Sequence, residues 1–158
     1  MKKLVLLRHA KSSWEYQVED FDRPLSLKGI NDIYKVSEKH INFFKNFQLF
    51  LTSPANRAFH TSIILTRNVF NKYEKLRVVN ELYSFNYKNI IDYIHRLDNN
   101  FSNIVLVGHN PAFSGAAEHL SEKKTPDLKT SDWIMIEFMQ SDWSKINLGR
   151  YIYESKKS

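Results

Sequence analysis

The segment LVLLRHA, Leu4 to Ala10, decides how the chain reads: four apolar residues in a row stop abruptly at Arg8-His9. A short run without alternation suits a strand buried on both faces of a parallel sheet, and such sheets present their chemistry at the carboxyl ends of strands. The arrangement occurs twice more. Phe50-Leu51-Thr52 runs into Ser53-Pro54 with Arg57 just beyond, and Ile104-Val105-Leu106-Val107 runs into Gly108-His109-Asn110-Pro111. Three strands thus deliver two arginines and two histidines from equivalent positions. That constellation suits a dianionic phosphoryl group.

Outward from these runs, strands and helices alternate without repeats or low-complexity linkers. Strands are expected at 3–7, 47–52, 76–79, 103–107, 133–139 and 146–153. Between them, Leu27, Ile30, Ile33, Tyr34, Ile41 and Phe44 recur at helical spacing over 26–45, with Ser26 as cap. A helix over 54–70 places Ala55, Ala58, Phe59, Ser62, Ile63, Val69 and Phe70 on one face, and two more are expected at 86–99 and from 111 to about 120. The order predicts a three-layer α/β/α sandwich with a mostly parallel central sheet, as one domain over residues 1–158, its last two strands a hairpin around 140–144.

Composition excludes several classes. The chain has 158 residues, 42% of them hydrophobic, enough for one domain with a sizeable core and too few for two domains. It has no cysteine, so neither a disulfide framework nor a thiolate metal site is available, and a reducing, cytoplasmic setting is expected. The apolar stretch after Lys2-Lys3 is too short for a signal peptide, and no membrane span is expected. The net charge of +6 is scattered, with doublets only at Lys2-Lys3, Lys123-Lys124 and Lys156-Lys157, so neither nucleic acid nor membrane is the expected partner. No HxxxH or HExxH spacing and no glycine-rich phosphate loop occurs. Neither a metal nor a nucleotide cofactor is therefore called for.

Ser53-Pro54 and Asn110-Pro111 each read as a capping residue before a proline at the first helical position. Helices that start directly after a strand turn their unpaired N–H groups toward the crevice above the sheet, a favourable place for an anion. Arg57 in the first turn then leans back toward Arg8. His40, His60, His95 and His119 fall on helices and read as packing or solvated residues.

Four ordered blocks, LVLLRHAKSSW, DRPLSLKG at Asp22 to Gly29, TSPANRAFHTS at Thr52 to Ser62 and LVGHNP at Leu106 to Pro111, resemble the histidine phosphatase superfamily, the phosphoglycerate-mutase-like proteins, and within it the compact SixA-type phosphohistidine phosphatases. The resemblance implies a nucleophilic histidine at His9, a phosphate pocket of Arg8, Arg57 and His109, and a supporting polar residue near Ser12. It also implies, for short members, an open groove that admits a phosphorylated protein side chain. Phosphohistidine on a protein is therefore the expected substrate. A small phosphorylated metabolite, handled by a phosphomonoesterase or mutase on the same scaffold, is the alternative, and a non-catalytic phosphate-binding module is a third.

The chemistry of these side chains fits those roles. Arginine forks match phosphate oxygens and keep their charge, and two such cations bias His9 toward the neutral imidazole that has a lone pair for attack. A neighbouring carbonyl could fix its tautomer. His109 reads as a protonated donor to a non-bridging oxygen. The proton donor for the leaving group is expected at Glu81, which stands where larger relatives place a glutamate, with Glu19, Asp20 and Asp22 as lesser alternatives.

Overall fold

In the computed structural model, which describes residues 1–158, six strands form one sheet: β1 (Lys2–Arg8), β2 (Leu49–Thr52), β3 (Leu76–Val78), β4 (Asn103–Gly108), β5 (Trp133–Phe138) and β6 (Arg150–Glu154). Their order is β3-β2-β4-β1-β5-β6. The first four are mutually parallel, β5 runs antiparallel to β1, and β6 pairs antiparallel with β5 at the edge of the sheet. Helices α1 (Leu27–Lys39), α2 (Ile41–Phe44), α3 (Asn56–Phe70), α4 (Tyr87–His95) and α5 (Ala112–Leu120) cover the two faces. The sheet is mostly parallel and layered between helices, as the alternation predicts. No helix is long and apolar enough to cross a membrane.

The apolar run of β1 is uninterrupted because both faces of the strand are buried. Leu4 and Leu6 enter a core with Ile90, Ile94, Phe113 and Ala117 of α4 and α5, whereas Val5 and Leu7 enter a second core with Ile33, Val36, Ala58 and Leu65 of α1 and α3. All four strand residues are fully buried, each contributing about 1.5–3 kcal/mol. The parallel register pairs Arg8 with Gly108 and Thr52 with Val107. His9, His109 and Ser53 consequently leave the sheet at one level.

Where the elements differ from expectation, a local bond accounts for it. The helix expected over 26–45 is two, broken at His40, whose backbone (φ −115°, ψ 24°) leaves the helical range while its ring meets Trp133 edge-on at 5.3 Å. Ser26 does cap α1, accepting from the Gly29 N–H. Gly29 is required there, since a Cβ would lie 2.1 Å from the Lys11 carbonyl oxygen. Neither proline begins a helix: Ser53 Oγ accepts from the Ala55 N–H in a turn before α3, and Asn110 Oδ1 accepts from Ser114 N and Oγ across the start of α5. The buried face of α3 carries Thr61, Ser62, Leu65 and Thr66, with Phe59 exposed. Those hydroxyls can be buried because each returns a bond to the carbonyl four residues earlier. β6 starts only at Arg150 because Gly149 pairs with the end of α5, and the expected hairpin joins β5 to β6 through a connection that holds a 3-10 turn at Trp143–Lys145.

Candidate active site

The carboxyl ends of β1, β2 and β4 build the site. The His9 N–H bonds the Gly108 carbonyl at 3.0 Å, and the Arg8 N–H bonds the Asp132 carbonyl at 3.1 Å. Ser131, at φ 66°, turns its own N–H onto the carbonyls of Arg8 and His9. The fully buried Asp132 carboxylate fixes that turn, accepting from Lys129 N, Tyr153 Oη and Lys156 N. The backbone carrying the two motif residues is therefore held from both neighbouring strands.

His9 donates from Nδ1 to the Ala10 carbonyl at 2.7 Å, which fixes the tautomer and leaves Nε2 with a lone pair. The Arg57 Nε–H approaches that nitrogen at 3.3 Å. Burial, partly opposed by the Ala10 bond, and the nearby guanidinium groups of Arg57, Arg8 and Arg23 push the His9 pKa down to about 3. The imidazole is neutral at any ordinary pH.

His109 lies beside it, ring centroids 5.2 Å apart. Burial first, then His9 and Arg57, push its pKa down to about 3 as well, so the protonated donor expected from the sequence is corrected to a neutral ring. A neutral histidine still donates from one nitrogen. Its Nε2 lies 2.8 Å from Ser53 Oγ, which accepts from the Ala55 N–H and has its own proton left to give. Assigned so, the remaining proton sits on His109 Nδ1, a buried atom with no hydrogen-bond partner. Arg8 Nε is likewise buried and unpartnered, while Nη1 bonds the Leu128 carbonyl.

Arg57 is almost fully buried, with its Nε–H toward His9 and both outer nitrogens on Asp20. Nη1 bonds the Asp20 carbonyl oxygen at 2.6 Å and Nη2 its carboxylate at 3.0 Å. Partial burial raises the Asp20 pKa, but hydrogen bonds from Tyr83 and Arg57 outweigh it and hold the carboxyl at about 2. Arg23, which the sequence reading did not single out, also pairs with Asp20 and donates to Ser12 Oγ at 2.6 Å. Ser12 thus supports a third guanidinium, one whose charge acts on His9. The signal was present in the DRPLSLKG block, but no periodicity tied it to the strand ends.

Glu81 is exposed and has no hydrogen bond or ion pair with His9, Arg57 or His109. It lines a separate groove of about 330 Å³ with Tyr83, Ser84, Asn89, Asp92 and Arg96. Glu19 and Asp22 make no side-chain contact with the histidines, so of the four carboxylates only Asp20 touches the arginine pocket. No group of three or more histidine, aspartate or glutamate side chains converges as a metal site would require.

With Arg8, His9 and His109 at the strand ends, Arg57 in the first turn of α3 and this sheet order, the chain has the phosphoglycerate-mutase-like fold of the solved histidine phosphatases. More particularly, it is 30% identical over 155 residues to an uncharacterized chloroplastic protein of Arabidopsis thaliana, covering 91% of this chain and 70% of that one. No family model matches the sequence. Among solved structures it is similar to a protein of Agrobacterium tumefaciens provisionally described as phosphohistidine phosphatase SixA, at 24% identity and TM-score 0.77, covering 87% of this chain and 92% of that one. The protein histidine phosphatase SixA in complex with tungstate superposes at TM-score 0.77 with 18% identity, covering 97% and 94%. A mycobacterial glucosyl-3-phosphoglycerate phosphatase shares the fold at TM-score 0.69 and 14% identity, covering 98% and 97%.

Proposed function

We propose that the chain is a metal-independent phosphatase that takes the phosphoryl group of a protein phosphohistidine onto His9 and then releases it to water. The observation that carries the reading is the lone pair of His9 Nε2, fixed by the Ala10 carbonyl and set among three guanidinium groups and two unpartnered buried donors. The tungstate complex of the similar SixA structure supports it, tungstate being an oxyanion of phosphate-like shape. A reducing intracellular compartment suits a chain without cysteine.

The phosphoryl oxygens take the place of Asp20 on Arg57 and accept from Arg8 and His109 Nδ1–H. His9 Nε2 forms a bond to phosphorus as the bond to the leaving nitrogen breaks; that nitrogen keeps the electron pair and takes a proton. Asp20 is the carboxyl in contact with the pocket, and once parted from Arg57 its pKa rises toward the range in which it carries the proton. Water then attacks phosphorus and loses its proton to the carboxylate, and the Nε2–P bond breaks with its pair returning to His9. Inorganic phosphate leaves.

Glu81 is the second candidate for the proton, at the groove beyond Tyr83. A small-molecule phosphomonoesterase is the second reading of the whole site, favoured by the shared fold of the mycobacterial glucosyl-3-phosphoglycerate phosphatase. Turnover of a phosphohistidine peptide and a panel of phosphomonoesters by wild type and His9→Ala decides between them. Efficient turnover of the peptide alone, lost in His9→Ala, supports the proposal; turnover of esters alone supports the second reading. No turnover of any substrate returns the site to phosphate binding.

A further inference from the structure

Four rings surround the mouth of the arginine pocket in an unbroken chain of contacts. Phe21 meets Tyr83 edge-on at 5.2 Å, Tyr83 meets His109 at 5.4 Å and Phe85 at 5.7 Å, and Phe85 closes on His109 at 5.4 Å. The outer two stand open to solvent, Phe21 by 39% and Phe85 by 48%. Neither belongs to the two cores of the fold. Their neighbour Asp20 receives the Tyr83 hydroxyl at 2.7 Å, so a carboxylate sits against the same aromatic wall.

Charge changes across this boundary. Inside lie Arg8, Arg23 and Arg57, suited to an anion; at its edge Asp20, paired with Arg23 and Arg57, meets aromatic rings, whose faces attract a cation. In-line attack by His9 Nε2 sends the leaving group out on the side of phosphorus opposite His9, and His109, 5.2 Å from the His9 ring, is itself in contact with Tyr83 and Phe85. An alkoxide leaving there gains nothing from a ring wall. A flat imidazole protonated on its far nitrogen is a cation while still bonded to phosphorus, and again once its departing nitrogen has taken a proton, so it gains ring contact and cation–π attraction together.

We propose that Phe21, Tyr83 and Phe85 form a leaving-group subsite that takes a flat, cationic ring, and so make the pocket selective for a phosphorylated imidazole over a phosphate ester. This rests on the reading of the arginine pocket as a phosphoryl site. Selectivity then comes from the rim, outside the groups that hold the phosphoryl oxygens.

Binding of three methylphosphonates, none of which can be hydrolysed, tests the subsite without turnover. They carry an imidazolyl, a phenyl or an isopropyl group, and calorimetry at pH 6 gives their affinities for wild type, Phe21→Leu and Phe85→Leu, the leucines keeping apolar bulk without a π face. The imidazolyl compound is expected to bind about fivefold more tightly than the isopropyl one. That preference shrinks toward unity in each leucine variant and at pH 9, where the ligand ring is neutral. Melting curves like the wild type's confirm that the variants fold. Equal affinities in the wild type, or a preference intact in both variants, overturn the subsite while leaving the phosphoryl pocket standing. Failure of all three compounds to bind overturns the pocket and the subsite together.

Discussion

Arg57 and Asp20 are joined twice, once through the Asp20 carbonyl oxygen at 2.6 Å and once through its carboxylate at 3.0 Å, while the third face of the guanidinium is turned to His9. The arginine proposed to clamp a phosphoryl group is therefore already clamping an acidic side chain of its own chain. The carboxylate is half-exposed and Arg57 is buried, so the partner able to leave is Asp20.

Removing that competitor has opposite effects on binding and turnover. Asp20→Asn is expected to bind tungstate about two- to fivefold more tightly, the range of a partly exposed ion pair. The same variant turns over phosphohistidine peptide more slowly, because its amide cannot pass a proton. Calorimetry and single-turnover kinetics check the two halves; weaker tungstate binding would show that Asp20 is no competitor for Arg57.

His9 is expected to carry the phosphoryl group during turnover, since a covalent step divides the displacement in two. Rapid quenching should trap an acid-labile, base-stable phosphoprotein that is missing in His9→Ala. Arg8→Lys and Arg57→Lys keep the charge and lose the planar fork, and each should lose about 2–4 kcal/mol of transition-state stabilisation in kcat/KM. Near wild-type efficiency in both would remove the clamp.

A leaving-group series separates the two carboxylates. Loss of a general acid slows a poor leaving group far more than a good one. The variant lacking the true donor, Asp20→Asn or Glu81→Gln, should slow alkyl phosphates much more than an activated aryl phosphate. The other should slow both equally or neither. Because Asp20 touches Arg57 and Glu81 lies in the neighbouring groove, the steep dependence is expected for Asp20→Asn.

Stability should fall with acid earlier than in a chain without buried histidines. His9 and His109 have folded-state pKa values of about 3, below the 6.5 of an unfolded histidine, so the unfolded chain binds more protons between these limits. Their contribution is full above pH 6.5 and is lost as pH falls toward about 3. The slope is about 1.4 kcal/mol per pH unit for each histidine. Denaturant titrations from pH 7 to pH 4 measure it, and His109→Gln should remove its share of the slope. An unchanged slope would show that His109 is not held neutral.

The strand ends were legible because their cause is local. LVLLRHA, FLTS and LVGHNP each change from apolar to polar within one residue, and a strand buried on both faces leaves no other place for such a change. Parallel register then does the rest, bringing His9 beside His109 through the Arg8–Gly108 pair. The proline positions were less legible. Ser53 and Asn110 do bond nearby N–H groups, but two residues intervene between Ser53 and α3 and one between Asn110 and α5, a shift that capping preference alone does not resolve.

By itself, then, the sequence determined the layered α/β order, the buried apolar strands and the choice of Arg8, His9, Arg57 and His109 just after them, since each depends on periodicity or on composition within a few residues. Tertiary structure alone decided what those side chains meet. Asp20 and Arg57 are far apart in the chain, as are Tyr83 and His109, and no periodicity relates them. Whether His109 carries a charge depends on burial and on His9 beside it, and which nitrogen of His9 stays unprotonated depends on where the Ala10 carbonyl points. Hydrogen-bond direction and desolvation are properties of the packed molecule, set by groups that only the folded chain brings together.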